Sequence, residues 1–171
     1  MKKFIIFIIS FIVSIFSINA QKIALIDMEY ILENIPAYQK ANDELNVLSQ
    51  QYQKIIEAKS KEAETLYFAY QKSASSLSAT QRTQKEEAIV SKEKEVAELR
   101  KRYFGPEGEM VQKQETLITP IQDKVYEAVK QVSQRKGYDV VVDRASASSI
   151  IFASPRIDIS NEVLTVLGYS K

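Results

Sequence analysis

The sequence predicts an α+β protein with a small three-stranded β body and a long antiparallel helical hairpin of the coiled-coil type. Two observations carry this prediction. After residue 20 the chain has one proline, Pro36, and no glycine before Gly105, so a long stretch lacks helix breakers. Short apolar runs with strand character lie near the two ends of the chain, and a helical hairpin brings its own ends together.

The first 20 residues predict export. Lys2 and Lys3 are followed by an almost continuous apolar run over residues 4–18, and a cleavage site follows at Ala20. The alternative is a membrane anchor, but the run is shorter than the roughly 20 residues of a spanning helix. No cysteine follows the run, which excludes a lipid-anchored lipoprotein. We predict a signal peptide over residues 1–20 and a single domain over residues 21–171.

The composition of residues 21–171 argues against catalysis. They carry 21 basic and 22 acidic side chains, a near-neutral balance that is not typical of nucleic-acid binding. Histidine and cysteine are absent, which removes the usual metal ligands and the thiol nucleophile. Two acidic pairs, Asp27 with Glu29 and Asp139 with Asp143, fit strand ends better than acid–base chemistry. We expect no enzyme activity, no cofactor, no metal and no nucleic-acid partner.

The β body is predicted from residues 21–36 and 137–171. Residues 22–27 form an apolar strand, and its apolar run continues to a turn before Pro36, which suits a first helical position. Residues 138–143 and 149–153 have strand character and are joined by a short polar segment, so they should form a β-hairpin in the same sheet. A short last helix, capped by Asp158 or Ser160, should end at Gly168.

The helical arm is predicted over residues 37–136, with its tip near residues 73–80 and a break at Gly105–Gly108. Pro120 should kink or restart the helix that follows this break. Apolar residues at coiled-coil spacing form the predicted seams, which are Ala41, Leu45, Leu48, Tyr52 and Ile55 in the first helix and Ile89, Val96, Leu99 and Tyr103 in the second. Leu66 should also lie in the interhelical core, whereas Ile56, Leu77 and Val90 lie off the seam. Because the arm and the sheet each bury little surface, we expect oligomerisation through the body.

The tip of the arm carries the candidate contact residues. No acidic residue occurs between Glu64 and Glu86, and this stretch combines aromatic and basic side chains. Such a surface suits anionic lipid headgroups or unfolded clients, although the aromatic rings could instead pack between the helices with the bases solvated. The candidate client or membrane contacts are Tyr67, Phe68, Tyr70, Lys72, Leu77, Arg82 and Lys85.

The whole of residues 21–171 resembles the Skp (OmpH-like) periplasmic chaperones. The resemblance lies in the segment KIALIDMEYIL (22–32), the charged hairpin and above all KGYDVVVD (136–143). It implies a periplasmic homotrimer with a barrel-like base, whose arms hold unfolded outer-membrane proteins without ATP and prevent their aggregation. Typical members of the family are strongly basic, whereas residues 21–171 are almost neutral. Any attraction of acidic clients or membranes by charge is therefore expected to depend on the basic residues at the tip of the arm. The competing hypothesis is a structural coiled-coil protein of the envelope that binds one folded partner.

Overall fold

The computed structural model describes residues 21–147 and 149–169, and the predicted signal peptide lies outside the described residues. The elements in chain order are β1 (Ile23–Ile26), α1 (Met28–Glu33), α2 (Pro36–Ser73), α3 (Ala79–Phe104), α4 (Glu109–Lys136), β2 (Val140–Asp143) and α5 (Ser160–Val166). The fold is therefore mostly helical with a small sheet. It divides into two compact units, one made of the described residues up to Ile31 and from Glu127 onward, the other of Leu32–Tyr126.

The sheet of the first unit has two parallel strands, with Ile23 of β1 opposite Val140 of β2. The opposite edge of β1 is also used, because the Leu25 carbonyl accepts a hydrogen bond from the Ile159 N–H at 2.9 Å. Buried side chains of this unit come from β1, α1, the end of α4, and α5 with the residue before it. They include Leu25, Ile26, Ile31, Ala128, Val132, Ile159, Val163 and Leu164.

The prediction of a third strand is wrong. Residues 149–153 form no strand in the described chain, and the predicted hairpin with residues 138–143 is absent there. The turn after β2 is tied to β1, because the Arg144 N–H donates to the Ile26 carbonyl at 2.8 Å and the Arg144 guanidinium bonds Asp27. These bonds continue the β1–β2 pairing to Arg144, where a turn ends the strand, and residues 149–153 follow without a strand partner.

Helix α1 also differs from the prediction, in which the apolar run after Asp27 continued to a turn. The Asp27 carboxylate accepts a hydrogen bond from the Tyr30 N–H at 2.9 Å, in the manner of a helix N-cap. A second bond orders the same junction, because the Asp27 N–H donates to the Ser160 hydroxyl at 2.9 Å. The strand therefore ends at a capping residue, and a helix begins directly after it.

Acid is expected to weaken this junction. The bonds from the Tyr30 N–H and from the Arg144 guanidinium hold the pKa of Asp27 below its usual value, although partial burial opposes them. Since the folded-state pKa is the lower one, the carboxylate stabilises the fold above the unfolded pKa of about 3.9. That stabilisation is lost as the pH falls through the folded-state pKa. Asp27→Asn should therefore show a smaller drop in the urea midpoint between pH 6 and pH 2.5 than the unmodified protein.

The matched control for this titration is Asp123→Asn, which removes an exposed carboxylate on α4. This variant should keep the pH dependence of the unmodified protein, measured by circular dichroism at 222 nm. Equal midpoint drops in Asp27→Asn and the unmodified protein would show that Asp27 does not couple protonation to folding.

In the second unit, α2 packs against α3. Their connection contains a 3-10 turn at Ala74–Ser76 and a capping box in which the Ser78 hydroxyl accepts from the Gln81 N–H and the Gln81 side chain accepts from the Ser78 N–H. As the residue number increases along α2, the number of the contacting residue on α3 decreases. The paired side chains are Tyr52 with Tyr103, Lys59 with Glu95, Glu62 with Lys92 and Tyr70 with Glu86.

The seam of α2 departs from strict coiled-coil spacing. Ile55, predicted to be in the core, is 41 % exposed, whereas its neighbour Ile56 is only 8 % exposed and packs in a cluster with Val96 and Tyr103. A strict seven-residue repeat drifts by about 20° per heptad around a straight helix, so the buried stripe moves on by one residue. Leu66 is likewise exposed. The predicted α3 seam is confirmed, since Ile89, Val96 and Tyr103 are buried and Leu99 packs against the cluster.

The predicted break falls between α3 and α4, and α4 then runs through Pro120 without interruption. The break is tight: a side-chain carbon added at Gly108 would lie 2.9 Å from the Tyr103 carbonyl oxygen. Helix α4 ends at Lys136, and Gly137 follows with a φ of 70°, the left-handed conformation in which a glycine commonly ends a helix.

Candidate functional site

The candidate contact residues gather at one end of the α2–α3 pair. Tyr67, Phe68, Tyr70 and Lys72 occupy the last turns of α2, and Arg82 and Lys85 occupy the first turns of α3. Leu77 lies in the connection and is half-buried. We call residues 67–85 the tip segment.

The three aromatic residues of the tip segment differ in their surroundings. Tyr67 and Phe68 are about half exposed, and their ring centroids lie 6.0 Å apart. Tyr70 instead donates its hydroxyl to the Glu86 carboxylate on α3, and this bond raises the pKa of Tyr70. Tyr70 therefore ties the two helices together, whereas Tyr67 and Phe68 present ring surface to the solvent.

The basic residues of the tip segment are all exposed. Within the described residues, Lys72, Arg82 and Lys85 make no ion pair shorter than 4.0 Å. Glu86, the first carboxylate after this segment, is already bonded to Tyr70. The end of the pair therefore presents three uncompensated positive charges beside two exposed aromatic rings.

A cluster of four charges joins α2 to α3 further along the pair. Lys59 lies 3.4 Å from Glu95, Lys92 lies 3.2 Å from Glu62, and each lysine also pairs with the glutamate on its own helix. The bonds from Lys59 and Lys92 lower the pKa of Glu62, and the bond from Lys92 lowers the pKa of Glu95. Lys59, which interrupts the apolar stripe of α2, thus has a partner on the facing helix. We call these four residues the ion cluster.

An open groove of about 570 Å³ lies over the same stretch of the pair and shares no residue with the ion cluster. The residues that line it include three with small side chains, namely Ser60 and Ala63 on α2 and Ala97 on α3. Tyr67 lies at one side, and the charged groups at its rim are Glu64, Glu93 and Arg100. We call this feature the α2–α3 groove. Sequence reasoning missed it, although three small residues on facing helices were a visible signal.

A bonded network fixes α2 to the α3–α4 break. The rings of Tyr52 and Tyr103 are stacked with their centroids 3.9 Å apart. The Tyr52 hydroxyl donates to Glu109 at 2.6 Å, and the Arg102 Nε donates to the same carboxylate at 2.7 Å. These two bonds lower the pKa of Glu109, and the bond to Glu109 raises the pKa of Tyr52. The sequence predicted a break here but did not reveal what holds it.

The first unit exposes an apolar segment. Ile151 is 101 % exposed and Phe152 is 85 % exposed, although isoleucine and phenylalanine are both strongly strand-forming and apolar. Ile23 and Val140, which face each other across the two strands, are also exposed. This unit therefore exposes these four large apolar side chains, a feature that is typical of an association surface.

Within the described ranges 21–147 and 149–169, no helix is both long and apolar enough to cross a membrane. The same ranges contain no cluster of three or more histidine, cysteine, aspartate or glutamate residues placed to hold a metal ion.

Comparisons with known proteins agree on one family. Residues 22–167 match the family model described as outer membrane protein (OmpH-like). The chain is 26 % identical over 148 residues to chaperone protein Skp of Yersinia enterocolitica, covering 86 % of this chain and 87 % of that protein. The crystal structure of an OmpH-like protein from Caulobacter crescentus CB15 superposes with a TM-score of 0.65 at 12 % identity, covering 88 % of this chain and 86 % of the other.

Proposed function

The chain belongs to the OmpH-like family of outer membrane proteins, and from this membership we propose that it is a periplasmic chaperone that binds unfolded outer-membrane proteins. The resemblance expected from residues 22–32 and 136–143 is confirmed by the match over residues 22–167. The relative from Yersinia enterocolitica is named a chaperone. In our proposal the protein prevents the aggregation of its clients without ATP.

The observation that carries the proposal is the surface of the α2–α3 pair. Apolar side chains are exposed at intervals along both helices, among them Val47, Ile55, the consecutive Leu66, Tyr67 and Phe68, and Val90. Outside the run 66–68, charged residues separate these positions along the sequence. Scattered apolar contacts of this kind favour the binding of many different extended segments over the binding of one shaped ligand. Several weak contacts on one client add up to useful affinity.

We further propose a homotrimer assembled through the β body, with residues 37–136 as the arm of each protomer. The exposed Ile151 and Phe152, and the exposed pair Ile23 and Val140, support this assembly because a body interface would cover them.

Residues 1–20 are proposed to be removed after Ala20 during export. A mature N-terminus at Gln21 in the periplasmic fraction, measured by mass spectrometry, tests that step, and an intact Met1 there would refute it.

The chaperone proposal is tested by diluting a urea-unfolded β-barrel protein into a solution of the purified protein and following light scattering. We expect aggregation to be suppressed without ATP, with saturation near three chains per client. An unrelated folded protein at the same concentration is the control. Unchanged aggregation in the presence of well-folded oligomer would refute the proposal and favour a structural coiled-coil protein with a folded partner.

The tip segment is proposed to touch anionic membrane surfaces. Replacing Lys72, Arg82 and Lys85 together by glutamine should weaken binding to phosphatidylglycerol-containing vesicles at low salt by at least about tenfold, since each base near such a surface contributes about 1 kcal/mol. Vesicle co-sedimentation measures this effect.

The matched control for the tip is the triple glutamine variant of Lys54, Lys61 and Lys94. These residues are exposed on the same helices outside the tip segment, and the change in net charge is identical. Equal loss of vesicle binding in both triple variants would show that net charge, and not the tip, governs the contact.

A further inference from the structure

We propose that the α2–α3 groove is a subsite that takes one aromatic side chain of an unfolded client segment, preferentially an aromatic residue flanked by lysine or arginine. The inference rests on the proposed chaperone function and adds to it a defined place and a side-chain preference. Three features of the groove support it, namely its shape, its charge and an unused hydroxyl group.

The shape of the groove suits a flat ring. Ser60, Ala63 and Ala97 have side chains too small to fill the space between the facing helices, and this leaves the volume of about 570 Å³. Tyr67 lines the same space and keeps about half of its surface exposed. An aromatic ring that enters the groove can therefore pack against Tyr67 in an offset or edge-to-face arrangement.

The charge of the groove favours a cation beside that ring. Glu64, Glu93 and Arg100 line the groove, and none of them makes an ion pair shorter than 4.0 Å with any residue that the structure describes. Two carboxylates against one guanidinium leave a net negative rim. In the ion cluster, by contrast, every charge has a partner of opposite sign. A lysine or arginine next to the client's ring would supply the missing charge.

Ser60 adds a polar contact. Its hydroxyl oxygen is buried and has no hydrogen-bond partner in the described chain. Other hydroxyl groups in these helices bond the carbonyl four residues earlier, as Thr65 does to Lys61 at 2.7 Å and Ser73 to Ala69 at 2.9 Å. A buried polar group without a partner is uncommon and calls for an explanation. Because this oxygen is covered in the described conformation, the Ser60 hydroxyl would donate to a main-chain carbonyl of a bound client after the side chain turns to another staggered rotamer.

The proposed clients supply such segments. Strands of outer-membrane β-barrels alternate apolar and polar residues and carry girdles of aromatic residues at both membrane interfaces. In an extended chain successive side chains point to opposite faces, so the neighbours of a ring that enters the groove start out pointing away from it. A lysine or arginine side chain is long and flexible enough to bend back to the carboxylates of the rim. The groove thus selects ring-bearing positions within a client that the rest of the helix pair binds without preference.

The test uses dye-labelled ten-residue peptides whose central residue is tryptophan or leucine and whose flanking residues are lysine or glutamate. Fluorescence anisotropy with the purified protein should show about tenfold tighter binding of the tryptophan–lysine peptide than of the other three. Ala97→Leu, which fills the groove, should abolish this preference. The control Ala58→Leu, at an exposed position outside the groove, should retain it.

A second pair of variants keeps the test independent of the folding of Ala97→Leu. Tyr67→Ala should lose most of the preference for tryptophan, whereas Phe68→Ala, equally exposed but outside the groove, should keep it. Glu64→Gln combined with Glu93→Gln should abolish the preference for lysine over glutamate and leave that for tryptophan over leucine. Circular dichroism confirms the helical content of each variant.

Retained tryptophan preference in both Ala97→Leu and Tyr67→Ala would overturn the subsite. So would a change in oligomer mass of Ala97→Leu with unchanged peptide binding, because the groove would then be a contact between copies of the chain. Light scattering with an unfolded β-barrel protein separates this failure from that of the proposed function. If the protein suppresses aggregation normally but shows no preference among the peptides, the proposed subsite is refuted and the proposed chaperone function is not.

Discussion

Replacing Ile151 and Phe152 together by serine is expected to convert the proposed homotrimer into monomers. Both side chains are almost fully exposed in the single chain. Full burial of an apolar side chain of this size contributes about 1.5–3 kcal/mol, so the pair contributes roughly 3–6 kcal/mol for each protomer. Their loss should raise the dissociation constant by about 10²- to 10⁴-fold.

Light scattering coupled to gel filtration, over a range of protein concentrations, measures this effect as the molar mass of the assembly. Ser149→Asp is the matched control, because it changes an exposed polar residue in the same segment. The control should keep the mass of the unmodified protein. If the double serine variant also kept that mass, residues 151 and 152 would lie outside the interface, and the assembly would have to use another surface.

The behaviour of residues 149–153 shows why the sheet was only partly predictable. Their composition is that of a strand, as is that of residues 22–27 and 138–143, in which strands do form at Ile23–Ile26 and Val140–Asp143. Strand propensity is local, however, whereas pairing needs a free edge in reach. Asp158 and Ile159 use the second edge of β1, and the bonds of Arg144 tie the turn after β2 to the end of β1. Neither effect is visible in the residue pattern.

The helices were more predictable than the details of their packing. The lack of glycine and proline fixed the long helical stretch, and Gly105–Gly108 fixed the break. Ile55 was predicted to lie in the core, but its neighbour Ile56 is buried instead. The difference arises because small deviations from seven-residue spacing accumulate along a 38-residue helix.

The contacts within the candidate site also depend on how the helices pack against each other. Glu109 and Lys113 have the spacing of an ion pair within one helix. In the structure, however, Glu109 bonds Tyr52 and Arg102, and Lys113 pairs with Glu44 at 2.7 Å. The α2–α3 groove likewise depends on which residues face each other across the pair. Residue types alone identified the aromatic and basic tip segment. Which residues of α2 and α3 lie opposite each other is known only from the structure.

The second large effect is expected for Tyr103→Ala, which should destabilise the α2–α3 pair by about 3–5 kcal/mol, the usual cost of truncating a buried aromatic side chain. Tyr103 is 8 % exposed, stacks on Tyr52 and packs in the cluster with Ile56 and Val96. The variant removes the ring stack and leaves a cavity beside the α3–α4 break. Urea unfolding followed at 222 nm measures the loss of stability.

Two variants separate the ring from its surroundings. Tyr126→Ala truncates the same residue type where it is 65 % exposed, so its stability should change by no more than about 0.5 kcal/mol. Tyr52→Phe keeps a ring for stacking but removes the hydrogen bond to Glu109, and its loss should lie between those of the two alanine variants.

Hydrogen exchange locates the effect, because the network of Tyr52, Tyr103 and Glu109 holds the break to α2. In Tyr103→Ala, amide protection should fall most near residues 100–112 and remain near Ile118 and Val125, which are buried elsewhere in the unit. Such a pattern would mean that the break becomes a hinge only when the stack is removed. If Tyr103→Ala matched Tyr126→Ala in both stability and exchange, the stack would not hold the break, and its rigidity would have to come from the tight backbone at Gly105 and Gly108.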